Sequence, residues 1–228
     1  MTDPNAPADT SIMRIVHTAL RRDLTRTTTA LTAAPPPADA QRVALADHLH
    51  WMMHFLYAHH KGEDAGLWPL MRSLDPSAGD LLDQMERDHG QIATEVEGLD
   101  VATRRYSVDR DEAARTGLVD AVASLRAVLD PHLEREEVEM MPVVSRAMTH
   151  GRWESFNQEY FIKPKSKSQL GQEGHWLIDS IDAAGFQVVV GSVSPIPRFV
   201  LLHAFAPGYR KACALRWGPS VSITPLSA

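Results

Sequence analysis

Two stretches of this chain are near copies of each other: HHKGEDAGLWP at residues 59–69 and HLEREEVEMMP at residues 132–142. Each begins on a histidine, places a glutamate four residues on and an acidic residue next to it, and ends on a proline. The offset is 73 residues at His, Glu and Pro alike. A further histidine precedes each copy: His17 lies 42 residues before His59, and His89 lies 43 before His132. The chain thus repeats one phrase, a histidine on one helix and His-x3-Glu on the next. Each half supplies a helical hairpin.

Around these phrases the sequence reads as four helices. The first covers residues 11–31 and stops before Pro35-Pro36-Pro37, because proline has no N–H to continue the ladder. The second starts after Asp39, taken as its N-cap, and runs to Trp68-Pro69. The third runs from Pro76-Ser77 to about Leu99. The fourth starts at Asp109, with Glu112 as capping-box partner, and Pro131 kinks it without ending it. Connections this short make neighbours antiparallel. The expected fold is all-α, an up-down-up-down four-helix bundle.

Residues four apart share a helix face, so His59 and Glu63 point one way, as do His132 and Glu136. At about 100° per residue, both pairs fall on apolar stripes. One stripe is Met52, Phe55, Leu56, His59 and Glu63; the other is Leu118, Leu125, Leu129, His132, Glu136 and Val143. His89 joins Leu82, Met85, Ile92 and Val96, and His17 joins Met13, Leu20 and Leu24. Four histidines and two glutamates therefore face the core. Buried carboxylates without partners cost several kcal/mol or take up a proton. A pair of divalent or trivalent cations explains all six residues together, and donors without thiolate suit iron or manganese.

Composition narrows the rest. The net charge is −6, which does not suit nucleic acid. No apolar run approaches the length of a membrane span, and residues 1–10 lack the pattern of a signal peptide. The single cysteine, Cys213, rules out internal disulfides, and a cytoplasmic location is expected. Nine of the eleven histidines fall in the first 150 residues. That part carries 15 basic and 24 acidic residues, whereas residues 151–228 carry 8 and 5. The expected division is a disordered 1–10, a bundle over 11–150, and an extension over 151–228 that packs on the bundle.

The pattern resembles the hemerythrin-like, or HHE cation-binding, family, as found in bacterial proteins with a C-terminal extension. The resemblance rests on HTALRRDL from His17, HHKGEDAGLWPL from His59, DHGQI around His89 and HLEREEVEMMP from His132, and covers residues 11–150. It implies a non-haem centre of two iron ions, oxo- or hydroxo-bridged. His17 and His59 hold one iron, His89 and His132 the other, and Glu63 and Glu136 bridge them. The implied ligand is O₂, peroxide or NO. Oxygen carriers of this family have a second histidine four residues away on the third helix, but here Met85 and Ala93 flank His89. Two residues compete to fill that place, His60 and Glu86. The departure argues against simple O₂ carriage and for peroxide or NO chemistry, catalase-like or peroxidase-like turnover included. A sensor signalling through the extension and an oxygenase acting on an organic substrate are the alternatives.

The remaining residues receive plainer readings. Asp64 and Glu137 are hydrogen-bond partners of the ligands or solvated. His50 and His54 point away from the core, and His48 lies too far along its helix to reach the same ions. Trp68 plugs the end of the bundle. In the extension, Asp182 caps a helix, Val188-Val189-Val190 is a strand or part of a helix, Pro197 fits a first helical turn, and Pro207 ends or kinks one. By resemblance, short helices wrap the bundle, as extra core, as a lid, or as a protein or membrane-surface contact.

Overall fold

The computed structural model describes residues 3–191 and 201–218. Pro197 lies outside them. Every element among the described residues is a helix, with no strand among them. Helix α1 (Ser11–Leu31), α2 (Asp39–Gly62), α4 (Gly79–Val108) and α5 (Glu112–Arg135) form the bundle. In it α4 packs against α2 and α5, and α1 against α5. Short helices α3 (Trp68–Leu74) and α6 (Met141–Ala147) continue α2 and α5, and no helix is long and apolar enough to cross a membrane among the described residues.

Several boundaries differ from the sequence reading. Ala38 precedes α2 in extended backbone, and Asp39 is its first residue rather than its cap. Asp111, not Asp109, caps α5, accepting the amide of Ala114 at 2.6 Å. Helix α4 runs on to Val108, well past Leu99, because Leu99, Thr103 and Tyr106 keep a buried face in step with the helix. Pro131 sits inside α5 without ending it, as expected.

The main surprise is how α2 joins α3 and α5 joins α6. Residues Glu63–Leu67 and Glu136–Met140 are π-helical turns. The amide of Trp68 bonds the carbonyl of Glu63, and that of Met141 the carbonyl of Glu136, five residues back in each case. In an α-helix a residue five on sits about 140° round the axis. In the π turn it comes nearly under its starting point, so buried Trp68 and Met141 continue the glutamate faces. The extra residue shifts the register downstream: Val144 is fully buried, while Val143, on the stripe drawn at uniform helical pitch, is only partly so. Pro69 has no N–H to give back to Ala65, and the Tyr160 hydroxyl donates to that carbonyl at 3.4 Å.

The two apolar cores lie on either side of one polar level. Leu56 of α2 belongs to the first core, and Leu67 of the π turn that follows belongs to the second. Along α4 the change falls between Met85 and Ile92, and beyond it between Leu133 of α5 and Met140 of the π turn that follows. The predicted ligands lie at that change.

The C-terminal segment is helical. It comprises α7 (His150–Asn157), α8 (Lys167–Ile178), α9 (Ala183–Gly191) and α10 (Ala206–Trp217). The three valines lie in α9, so the strand alternative does not hold. Asp182 caps α9, accepting the amide of Gly185 at 2.7 Å. Pro207 lies in the first turn of α10, where its missing N–H costs nothing, and so starts that helix instead of ending it. Trp176 and Trp217 complete the first core. The N-terminal residues expected to be disordered run along residues 148–151 instead: Ala8 donates to Met148 O at 3.0 Å and His150 to Ala6 O at 2.7 Å.

Candidate metal centre

Seven side chains converge between the two cores: His17 from α1, His59 and His60 from the end of α2, Glu63 from the first π turn, His89 from α4, His132 from α5 and Glu136 from the second π turn. All are buried. Glu63 is placed between two groups of rings: its Oε1 lies 3.1 Å from Nε2 of His59 and its Oε2 lies 3.6 Å from Nε2 of His89. Oε2 of Glu136 lies 3.3 Å from Nε2 of His17 and 3.8 Å from Nε2 of His132. His60, His89 and His132 offer ligand atoms within 4.8 Å of one another. The His60 and His89 rings stack with centroids 4.1 Å apart. His17 and His59 meet edge to face at 5.9 Å.

The competition between His60 and Glu86 is decided by position. His60 is buried in the cluster. Glu86 is half-exposed on the outer side of α4 and pairs with Arg72 at 3.1 Å. The structure does not bring Glu86 to the cluster. A helix can present His60 beside His59 because the two rings reach different partners, His59 toward His17 and His60 toward His89.

The inner atoms lack partners. Nε2 of all five histidines and both oxygens of Glu63 and Glu136 are buried without a hydrogen bond. Buried polar groups are nearly always satisfied, so such a concentration at one level calls for a common binding partner. Several outer ring nitrogens are satisfied. Nδ1 of His89 meets Asp64 at 2.7 Å, and Nδ1 of His17 meets Glu137 at 3.0 Å. Nδ1 of His132 lies 3.5 Å from Asp88, a residue absent from the sequence reading, without a hydrogen bond between them. A carboxylate only accepts, so Nδ1 of His89 and of His17 carries a proton, which leaves Nε2 as the ring atom that faces inward. Asp88 is in turn bound by Arg135, and Glu137 by Arg21 at 2.6 Å.

Charge follows the same logic. Burial holds His59 down at about 3 and His132 at about 4, and it holds His60 well below the usual imidazole value. These rings are neutral, as cation ligands must be. Burial also lowers His17, but Glu136 and Glu137 outweigh it and leave the ring above its ordinary value. Burial and the neighbouring Glu136 push the Glu63 carboxyl well up, while His17 pulls Glu136 down to about 2. Two carboxylates buried this closely repel unless positive charge lies between them. The residues fit a pair of cations.

The other histidines take the places expected. His50 pairs with Asp100 at 2.6 Å on the surface, and His54 is exposed. His48 is buried but bound to Asp23 at 2.7 Å, in the first core. Trp68 is fully buried beneath His89, with ring centroids 6.1 Å apart.

One wall comes from beyond the bundle. Phe161 lies 5.5 Å from the His59 ring, on a further π turn, Gln158–Ile162, and Phe55 stacks on His59 at 6.1 Å. Gly62 makes room for it, since a Cβ there would stand 2.6 Å from the Phe161 ring.

An antiparallel bundle with histidines and paired glutamates at one level defines a cation-binding helical protein. The chain matches the model of the hemerythrin HHE cation-binding domain over residues 8–144, well over half its length, and belongs to that family. No curated protein and no solved structure matches it.

Proposed function

We propose that the seven residues hold two iron ions, and that the protein binds O₂, peroxide or NO and reacts with them. His17 and His59 serve one ion, and His60, His89 and His132 the other, with Glu63 and Glu136 shared between them. The observation that carries this reading is the set of inward Nε2 and carboxylate oxygen atoms without partners. A bound iron pair supplies a place for a small oxidant and the electrons to reduce it. The chain's own part is to orient and to exclude water. Asp64 and Glu137 fix the tautomers of His89 and His17, Asp88 lies beside His132, and Phe55 and Phe161 cover His59.

The site suits a small ligand. Two surface cavities, of about 380 and 320 Å³, are lined by none of the seven residues. Metal analysis and the visible spectrum of protein from an iron-fed host test the cofactor. Peroxide and NO consumption, compared with Glu63→Ala, tests the chemistry; equal rates would remove the reading.

A second reading is supported by Phe161. The chain after the bundle touches His59 directly, so loading of the centre can bear on how that segment packs. A sensor built this way shows iron-dependent proteolysis at residues 158–166. Identical digestion with and without iron argues against it.

A further inference from the structure

Between α2, α8 and α10 lies a cavity of about 320 Å³, at the lower end of the range for small-molecule pockets. Ser168, Gln172 and Ala212 are exposed at its mouth. Its walls are largely aromatic, with Trp51, Trp176, Phe205 and Tyr209 among the lining residues. Arg216 also lines it. That side chain belongs to a residue only 8% exposed, and its Nε and Nη1 have no hydrogen-bond partner among the described residues.

The surrounding charges do not cancel. Arg22 and Arg26 are matched by Asp23 and Asp179, at 2.7 Å for Arg22–Asp23 and 2.6 Å for Arg26–Asp179. His48, which also lines the cavity, adds no negative charge. Its ring is held neutral, at about 4, by burial first and by Arg216 among its neighbours. Arg216 is left as a buried cation with no carboxylate bound to it among the described residues. An unpaired buried charge is costly. Arg216 lines the cavity with its guanidinium 5.3 Å from the Trp217 ring centroid, so an anion held there would meet a buried cation whose enclosed Nε and Nη1 lack partners, and aromatic walls suit a flat or compact apolar body better than an inorganic ion.

We propose that this cavity binds a small organic monoanion, a carboxylate with an aromatic or compact apolar body. The carboxylate meets the Arg216 guanidinium and the body lies among Trp51, Trp176 and Tyr209. The site is separate from the cation centre and does not depend on what that centre holds.

Benzoate is the probe and benzamide its uncharged counterpart, added to the full chain as purified. Binding is read by tryptophan fluorescence and by the shift in Tm, with visible absorption recorded in parallel. The expected result is saturable benzoate binding, about tenfold or more weaker for benzamide, as suits a charge-assisted hydrogen bond. Arg216→Met should weaken benzoate by at least a similar factor. It should leave Tm equal or higher, because it removes an uncompensated charge and keeps the apolar stem. Ala212→Trp, at the exposed mouth, should weaken benzoate without touching the arginine, and it keeps the test open if Arg216→Met misfolds. Benzoate binding equally to Arg216→Met, benzamide binding as tightly, or no saturable response would overturn the proposal. So would a response seen only with a change in visible absorption, which places the ligand at the metals.

Discussion

Asp64 accepts a hydrogen bond from Nδ1 of His89 at 2.7 Å, although the two residues stand on different helical segments. Glu137 does the same for His17 at 3.0 Å. Glu137 stands 73 residues after Asp64, and His89 stands 72 after His17. The internal repeat therefore extends beyond the inward histidines and glutamates to the groups that hold them. Each carboxylate turns one ring from the opposite hairpin and fixes which nitrogen carries the proton.

Replacing either carboxylate should loosen metal binding while leaving the donor atoms in place. Losses of about 10–100-fold in affinity are usual for such partners. We expect that range for Asp64→Ala and Glu137→Ala, and a smaller loss for Asp64→Asn, which still accepts a hydrogen bond. Competition with a chelator measures it.

His60 and Glu86 give a paired comparison. His60→Ala should lower metal content or alter the visible spectrum, because it removes a buried ring stacked on His89. Glu86→Ala should change neither, since its carboxylate faces Arg72 at the surface. Equal metal loss in both variants would reverse the assignment.

The C-terminal helices are held by buried ions as well as apolar contact. Arg26 reaches Asp179 at 2.6 Å, and the Tyr209 hydroxyl donates to the same carboxylate at 3.0 Å. Asp179→Ala would leave Arg26 buried without that partner. Breaking one side of a buried pair costs about 3–5 kcal/mol. Urea denaturation should show a loss of that order, with faster proteolysis after α7. Replacing Arg26 with Met in the same chain should recover part of it.

Acid should weaken the same junction through His48. Burial, with help from Arg216, holds this ring at about 4 against the pull of Asp23. In the unfolded chain it takes a proton near pH ~6.5. Between those values the unfolded state binds more protons, so stability is present above about 6.5 and is lost as pH falls toward 4. Asp23 is depressed too, by His48 and Arg22, and its contribution is lost at still lower pH. His59, His60 and His132 act in the same direction in metal-free protein. The comparison of wild type with His48→Gln isolates one proton, worth at most about 1.4 kcal/mol per pH unit. The variant's thermal midpoint should depend less steeply on pH over that window; identical slopes would refute this.

The sequence alone determined the bundle and the inward residues. Repetition at a constant offset, together with an apolar stripe at helical spacing, is a local property that needs no coordinates. His17, His59, Glu63, His89, His132 and Glu136 were legible for that reason, and all six meet at one level. Only the tertiary structure decided between His60 and Glu86, because angles around isolated helices do not say which neighbour a ring will reach. It also disclosed Asp88, which stands outside the repeat, and the two π turns. A reading at constant helical pitch places Val143 where Val144 belongs, since one inserted residue alters every later angle. The junction of Asp23, His48, Arg26 and Asp179 joins residues over 150 positions apart. No local pattern encodes it; it exists because the chain folds back and those charges must find one another out of water.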